Sequence, residues 1–434
     1  MQKAISLLLS LLMLLACIPA LAEAPAEPVD YAGQLRLNMD SETRKAEVTV
    51  KTFVDGDTTH FHVSEAIVES GVLKARYLAV NTPETTGKIE EYGKKAAAFT
   101  REKLTGAVSI IVESDDHQWN LDSTGDRHLV WVWYKPADSS EYRCLNLELL
   151  QNGLCKANST ANNRYGSICS NALEQARQLK LNVYSGQKDP DFYYGEAVEM
   201  TLKELRTNLS AYNGMKVAFN GVVTMNNNNS VFVEAYDPEA DMYYGMSVYY
   251  GYGLSGAGLG ILSVGNEVRI VGTLQYYEAG GTWQVSGLTY RMMKPKDPGN
   301  IQKLSEGHSP AYVLTSPAVF ANGKVTVKGE EGESIYSYAE LAMSTSIEMK
   351  DLKVKHVYTT DNEDSSSDGA MTLTCESEGV TILVRTAVLM DDAGKLVTED
   401  AFYGKVIDVR GVVDFYDGIH QIKVLTMKNI NIHE

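Results

Sequence analysis

The stretch RYLAVNTPETTGKIEEYGKKAAAFTREKL, residues 76–104, contains an arginine near the end of an apolar strand, then Asn-Thr-Pro-Glu and a basic helix. The strand reads VLKARYLAV. If its side chains alternate between the two faces, the side chain of Arg76 points to the same face as those of Leu78 and Val80. An unpaired charge on an apolar face is strongly destabilising. We therefore expect Arg76 to meet a carboxylate or to bind an anionic ligand.

A second arginine repeats this arrangement, because Arg127 is in phase with the apolar Leu129 of another predicted strand. Asp57 and Glu84 follow neighbouring strand ends. Asp57 belongs to the Asp-Gly-Asp turn of residues 55–57, which taken alone indicates only a hairpin. Two arginines and these carboxylates in one small domain together indicate a phosphate clamp beside an acidic cluster.

The surrounding segments predict a small barrel. AEVTVKTFVDGDT, VLKARYLAV, AVSIIVES and RHLVWVWYK read as strands, and the first of them enters a hairpin. A helix with apolar Ile89, Tyr92, Ala96 and Phe99 follows VLKARYLAV, and LNLELLQNGL and NALEQARQLKLNVYSG read as two further amphipathic helices. Five strands with a helix inserted after the third indicate a barrel of the oligonucleotide-binding (OB) type.

An internal repeat predicts two more barrels. GNEVRIVGTLQYYEAGGTWQV, from Gly265, and GKVIDVRGVVDFYDGIHQI, from Gly404, share their glycines, an aromatic pair, an acidic residue and a closing Gln-Val or Gln-Ile. Repetition of a whole module is stronger evidence than any single strand. We expect OB-type modules at 196–295 and 335–434 with a linker at 296–334, so the fold class is mainly β with helices (α+β).

The first residues predict export. A lysine, an apolar run and Ala20-Leu21-Ala22 form the pattern of a signal peptide over residues 1–22, followed by a leader at 23–44 and the first barrel at 45–186. The prediction is a secreted, extracellular protein. The alternative is a lipid anchor at Cys17, where LLAC resembles a lipoprotein cleavage site. No later stretch has the length of an apolar membrane span.

The negative charge is unevenly distributed. The chain has a net charge of −17, but residues 45–186 contain 16 Lys and Arg against 18 Asp and Glu, and residues 187–434 have a net charge of −13. An acidic surface repels nucleic acid. For the aromatic pairs Tyr276-Tyr277 and Phe415-Tyr416 we therefore favour core packing or contact with protein or glycan over base stacking. The C-terminal modules are candidates for cell-surface contact.

The motifs VDGDT, ARYLAVNTPE, EEYGKKAAAFTREKL, TGDRHLVWVW, LNLELLQNGL and LEQARQLKLNVYSG resemble, in order and spacing, the thermonuclease (staphylococcal-nuclease-like) family. The likeness covers residues 46–186, about a third of the chain. It implies an OB-type barrel with calcium-dependent phosphodiesterase activity on DNA and RNA.

The resemblance also implies roles for individual residues. Ca²⁺ would be held by Asp57, Asn81 and the backbone carbonyl of Thr82, Arg76 and Arg127 would bind the scissile phosphate, and Glu84 would be the general base. All of these are oxygen or guanidinium groups, the types that suit a hard cation and a phosphodiester.

Two departures from the family pattern affect this site. Asn81 stands where the family's best-known pattern has Asp, and an amide oxygen coordinates calcium without contributing charge. Either the metal is held more weakly, or Asp55 or another carboxylate compensates. The family's nucleotide-contacting tyrosines are not evident after GLCKAN, where Tyr165 is a candidate substitute.

Three functions remain open from the sequence: an exported calcium-dependent nuclease acting on DNA, RNA or both; a non-catalytic extracellular protein that binds nucleic acid or protein; and an adhesin built on the tandem barrels. Retention of Asp57, Arg76, Glu84 and Arg127 together favours the nuclease, because unused charges near apolar strands are destabilising. For the cysteines, a Cys155–Cys169 bridge and buried free thiols are both open.

Overall fold

The computed structural model describes the chain from residue 27 almost to its end. The described residues are 27–85, 89–251, 254–278, 280–329, 332–362 and 367–433. The predicted signal peptide and the alternative anchor at Cys17 lie outside them, and of the predicted leader only residues 27–44 are described.

Alternating apolar residues form the strands of the first barrel. In β3, for example, Leu73, Ala75 and Tyr77 are buried and the residues between them are partly exposed. The strands are β1 (Lys45–Phe53), β2 (Thr58–His62), β3 (Val72–Tyr77), β4 (Val80–Asn81), β5 (Ala107–Glu113), β6 (His128–Pro136), β7 (Arg143–Cys144) and β8 (Lys156–Ala157). The helices are α1 (Tyr31–Gln34), α2 (Gly93–Thr105), α3 (Leu145–Gln151), α4 (Gly166–Gln178) and a 3₁₀ turn (Asn182–Tyr184).

Five of these strands close a barrel. β1 pairs antiparallel with β2 and β5, β2 with β3, and β5 with β6. Parallel pairing of β3 with β6 completes the ring. The helix α2 connects the third and fourth barrel strands, the arrangement predicted for an OB-type barrel.

Helix α2 begins later than its apolar pattern indicates. Ile89 and Tyr92 precede the helix, because Tyr92 has a left-handed backbone (φ +66°) that cannot continue an α-helix. Gly93 is the first helical residue.

The second barrel has the same strand pairing as the first. Its strands are β9 (Val198–Glu199), β10 (Lys216–Asn226), β11 (Ser230–Asp237), β12 (Met242–Tyr249), β13 (Glu267–Tyr277), β14 (Thr282–Ser286) and β15 (Gln302–Ser305), with α5 (Leu202–Thr207) and α6 (Ala257–Ile261). β10, β11, β12, β14 and β13 form the closed ring, and the β12–β14 pair is parallel.

The third barrel repeats this topology. Its strands are β16 (Val313–Leu314), β17 (Lys324–Gly329), β18 (Gly332–Ser337), β19 (Ser346–Thr359), β20 (Met371–Ser377), β21 (Val380–Thr386), β22 (Val406–Tyr416), β23 (Ile419–Val424) and β24 (Ile430–Ile432). Two helices, α7 (Pro317–Asn322) and α8 (Tyr338–Leu341), and two 3₁₀ turns (Glu399–Ala401 and Met427–Asn429) accompany them. The β21–β23 pair is parallel, and β19 with β22 closes the ring. The predicted fold class of three OB-type barrels is confirmed.

The sequence repeat corresponds to one hairpin in each of the last two barrels, β13–β14 and β22–β23. Gly272 and Gly411 occupy equivalent positions, where a Cβ atom would collide with the carbonyl oxygen of Ser286 or Lys423 on the partner strand. Glycine recurs there because the two backbones of each hairpin approach closely.

Barrels two and three are joined through buried polar and apolar contacts. Glu234 of β11 is 2% exposed and accepts hydrogen bonds from the backbone N–H of Ser346 (2.7 Å), its hydroxyl (2.8 Å) and the N–H of Ala311 (2.8 Å). Their apolar side chains form one continuous core cluster, whereas the first barrel has a cluster of its own.

The predicted linker also contains structure, because β15 pairs with β13 of the second barrel and β16 pairs with β19 of the third. Within the described residues, none of the helices has the length and apolar character needed to cross a membrane.

The four cysteines in the described part of the chain are free. Cys144, Cys155, Cys169 and Cys375 are all buried, so Cys155 and Cys169 form no bridge and the alternative of buried thiols applies. Burial raises the pKa of Cys169 to about 12 and that of Cys375 to about 12, which keeps both thiols protonated and unreactive.

Gly245 of β12 generates a prediction about the second and third barrels. A Cβ atom there would lie 2.5 Å from the carbonyl carbon of Ser344 in the third barrel. We expect Gly245→Ala to destabilise the protein by about 1–3 kcal/mol through overpacking, measured by urea unfolding. Gly260→Ala in α6 is the matched control: Gly260 has no atom within 4 Å of a Cβ, so this substitution should be neutral or stabilising. Equal unfolding midpoints for the two variants would contradict the prediction.

Candidate active site

The β1–β2 turn places two carboxylates at one end of the first barrel. The backbone N–H of Asp57 donates to Oδ1 of Asp55 (3.0 Å), and the hydroxyl of Thr100 in α2 donates to the carbonyl of Gly56 (2.6 Å). A Cβ atom on Gly56 would lie 2.8–2.9 Å from atoms of Thr82 and Ala96. Glycine at the centre of the turn therefore lets it pack between α2 and the segment after β4.

Asp57 is the most constrained carboxylate of the site. It is 2% exposed, and its oxygens accept hydrogen bonds from the backbone N–H of Thr82 (2.6 Å) and the hydroxyl of Thr58 (3.1 Å). Oδ1 also forms an ion pair with Nη1 of Arg76. Three donors converge on this one group, so its position is fixed by the fold.

Arg76 is nearly buried, with 11% of its side chain exposed, and it contacts two of the predicted metal ligands. Besides its pair with Asp57, its Nη2 donates to Oδ1 of Asn81 at 2.7 Å. Burial lowers the pKa of the guanidinium, and the charge of Asp55 opposes this shift. Arg76 therefore meets a carboxylate, as predicted.

The alternation that led to this prediction is wrong. β3 ends at Tyr77, and Ala79 has a left-handed backbone (φ +69°), so Leu78 and Val80 do not continue the strand. Within β3, Arg76 lies on the less buried face, opposite Ala75 and Tyr77. The backbone turn at Ala79, which no alternation pattern contains, brings Asn81 back towards the guanidinium.

Arg127 is held by a carboxylate that the sequence analysis did not identify. It lies in the turn before β6, and its Nε and Nη2 both donate to Oδ2 of Asp122, at 2.8 and 2.6 Å. Burial raises the pKa of Asp122, but hydrogen bonds from Thr124 and Arg127 outweigh it and lower the pKa overall. The only sequence signal for Asp122 is an Asp five residues before an Arg across a glycine-containing turn.

Asp55 and Glu84 both have carboxyl groups with raised pKa values. Burial is the main cause for Asp55, and Arg76 partly offsets it. Glu84 follows β4, and partial burial is the largest cause of its raised pKa. The negative charge of Asp55 is the second cause, and Arg76 again acts in the opposite direction. Arg127 also lowers both pKa values, so these four charged groups lie within electrostatic range of one another.

The donor atoms of the site suit a hard divalent cation. Side chains of Asp55, Asp57 and Asn81 and the backbone of Thr82 supply oxygen only, which suits Ca²⁺ or Mg²⁺ and not a soft metal. Burial is the main cause of the raised pKa values of Asp55 and Glu84, and a cation bound beside these carboxyl groups would offset the cost of ionising them. The residues present therefore fit such a cation chemically.

Arg76 contacts the side chains of both Asp57 and Asn81, so these two side chains are not free to turn towards the other carboxylates of the site. In the part of the chain that the structure describes, three metal-ligating side chains within 4.8 Å of one another occur in the third barrel, at Asp351, Asp408 and His433, and not in this site. A cation in the first barrel would share Asp57 and Asn81 with the guanidinium.

Tyr165, the candidate for a nucleotide-contacting tyrosine, is half-buried and packs against the core of the first barrel. Its ring packs edge-on against Trp131 and Trp133, with centroids 4.9 and 6.0 Å away, and its hydroxyl is 3.4 Å from Glu113. Tyr165 therefore supports the core of the barrel. Its position directly before α4 did not indicate this packing.

Comparison with known families agrees with this geometry. Residues 74–186 match the family model described as staphylococcal nuclease homologue. The match begins in β3 and ends just after the 3₁₀ turn that follows α4. The predicted resemblance is confirmed for these residues, and the first barrel has a nuclease-type fold.

The two arginines should differ in their contribution to stability. Arg76→Ala leaves the buried Asp57 without its cation and should destabilise the first barrel by about 3 kcal/mol. One third of the Arg127 side chain is exposed, so Arg127→Ala should cost about 1 kcal/mol or less. Urea unfolding followed by tryptophan fluorescence measures both, because three of the four tryptophans, Trp119, Trp131 and Trp133, lie in the first barrel. Equal losses would show that Asp57 does not depend on Arg76.

Proposed function

We propose that the protein is an exported, calcium-dependent phosphodiesterase that hydrolyses DNA, with RNA as a second candidate substrate. The observation that carries the proposal is the charge cluster at one end of a nuclease-type barrel, where Arg76 pairs with Asp57 and both arginines lie within electrostatic range of Asp55 and Glu84. The family match supports the nuclease class, and the predicted signal peptide supports export.

The two arginines would bind the phosphodiester. In the structure each guanidinium is held by one carboxylate, Arg76 by Asp57 and Arg127 by Asp122, which fixes the side chains before substrate arrives. A phosphate has the same paired oxygens that a guanidinium recognises, so both groups can bind non-bridging oxygens and stabilise the charge that grows on them. Preorganisation of this kind avoids the cost of reorienting the arginines during the reaction.

Glu84 would act as the general base. The raised pKa of its carboxyl group makes it a better proton acceptor than an ordinary glutamate. It would take a proton from the attacking water as the water oxygen bonds to phosphorus and the ester bond to the leaving oxygen breaks. The leaving oxygen is protonated from solvent.

Ca²⁺ would be held by Asp57, Asn81 and the carbonyl of Thr82, with Asp55 as the additional carboxylate nearby. Bound there, it would neutralise charge on the phosphate oxygens. The all-oxygen donor set of these residues supports a hard cation.

The second candidate function is a non-catalytic extracellular protein that binds nucleic acid or protein. The neutral Asn81 and the internal pairing of Asp57 with Arg76 favour it, because both reduce the charge available to a metal. Retention of Asp57, Arg76, Glu84 and Arg127 favours the enzyme. For the second and third barrels we propose contact with a cell surface through protein or glycan, because the net charge of −13 on residues 187–434 disfavours nucleic acid.

Glu84 and Arg127 provide the direct test of catalysis. Glu84→Gln and Arg127→Ala should each lower kcat on DNA by about 10²–10³-fold, because each removes a group used in the transition state, and a calcium chelator should abolish wild-type activity. Glu69→Gln, an exposed position in the β2–β3 loop, is the matched control and should have wild-type kcat. If purified wild-type protein with millimolar calcium degrades neither DNA nor RNA, the binding function replaces this proposal.

Asn81 provides a test of the metal. Asn81→Asp adds a charged ligand, so we expect calcium to bind at least tenfold more tightly, as measured by titration calorimetry without substrate. The calcium concentration for half-maximal activity should fall in parallel. An unchanged calcium affinity would show that residue 81 does not contact the cation, and the ligand set proposed above would be wrong.

A further inference from the structure

Asp189 is a buried carboxylate in the segment that connects the first and second barrels. It is 2% exposed, its Oδ2 accepts a hydrogen bond from the backbone N–H of Tyr92 at 2.5 Å, and its Oδ1 accepts one from the N–H of Asp191 at 3.0 Å. Its own N–H donates to the hydroxyl of Tyr194 at 2.8 Å. Among the described residues, the ion pairs do not include Asp189, so backbone donors alone satisfy this carboxylate.

The same segment holds the other end of Tyr92. The Tyr92 hydroxyl is 2.9 Å from the hydroxyl of Ser185 and donates to the carbonyl of Gln187 at 3.0 Å. Tyr92 has a left-handed backbone (φ +66°), an unfavourable conformation for a bulky side chain. Contacts at both its main chain and its side chain keep it there, and all of them come from residues more than 90 positions away.

The residues next to Tyr92 contact the backbone of Glu84. Gly93, the next residue, approaches Glu84 so closely that a Cβ atom would lie 2.6 Å from the Glu84 carbonyl oxygen. That carbonyl accepts the N–H of Glu90 at 2.9 Å, and the N–H of Glu84 donates to the Glu90 carboxylate at 3.3 Å. The backbone of Glu84 is thus packed against the start of α2, directly after Tyr92, the residue whose N–H donates to Asp189.

We infer that Asp189 is a positioning residue for Glu84, so that the connecting segment belongs to the catalytic apparatus of the first barrel. This inference rests on the proposed nuclease function. Asp189 lies beyond the residues matched by the family model, which end at 186. The segment also reaches the second barrel, because Phe192 and Tyr193 line a cavity together with Gly214.

The two hydrogen bonds that the Asp189 carboxylate accepts predict how severe each substitution of Asp189 should be. Both carboxylate oxygens of Asp189 are acceptors, so the amide of Asp189→Asn can satisfy Tyr92 or Asp191 but not both. Asp189→Ala satisfies neither. Asp191→Asn removes the same charge two residues away, from an exposed side chain whose backbone N–H is unaffected, and is the matched control.

The test uses the full-length protein and compares kcat and KM on DNA. We expect Asp189→Ala to lower kcat at least tenfold, Asp189→Asn to give an intermediate kcat, and Asp191→Asn to equal wild type, with KM within about twofold throughout. Hydrogen exchange of the Tyr92 amide should accelerate in the same order. Should Asp189→Ala fail to fold, Asp189→Asn carries the comparison.

A double-mutant cycle separates positioning from general support of the fold. In a Glu84→Gln background, Asp189→Ala should cause no further loss of kcat, because its effect acts through Glu84. The inference would be overturned if the double variant lost kcat by the product of the two single losses. A wild-type kcat for both Asp189 variants would also overturn it. An inactive wild-type protein would refute the proposed function itself, whereas an active wild type with insensitive Asp189 variants would refute only the role of Asp189.

Discussion

The buried ion pair between Asp57 and Arg76 is the constraint on which the first barrel and its site depend. Neither group is tolerated alone at this depth, since an unpaired buried charge is strongly destabilising. The fold therefore brings the β1–β2 turn, the end of β3 and the residues after β4 to one place. The result is a site in which Asp57 and Arg76 hold each other in place, the preorganisation on which the proposed phosphodiesterase activity depends.

Much of the architecture could be predicted from the sequence because it depends on local patterns. Alternating apolar residues predict strands, and glycines predict turns. The repeat around Gly272 and Gly411 marks the same close approach of two strands in two hairpins. The roles of Arg76, Glu84 and Arg127 came instead from a resemblance. The alternation argument for Arg76 reached a correct expectation, contact with a carboxylate, through a wrong strand boundary, because the left-handed turn at Ala79 has no signature in hydrophobicity.

Other features of the site could not be predicted, because they depend on contacts between distant segments. Asp122 and Asp189 are ordinary acidic residues in loops until the fold places them beside Arg127 and Tyr92. The sequence around Tyr165 is equally compatible with a surface aromatic, and only the structure shows its ring packed against Trp131. Charge composition likewise describes the C-terminal barrels as acidic without indicating the Glu234 network that joins them.

The central claim is that Arg76 and Arg127 bind one phosphate next to the acidic cluster. A crystal structure of the protein with calcium and a nucleoside 3′,5′-bisphosphate tests it most directly. The account predicts a phosphate with oxygens within hydrogen-bond distance of both guanidiniums and calcium against Asp57. A bisphosphate bound elsewhere, or bound here by neither arginine, would contradict it.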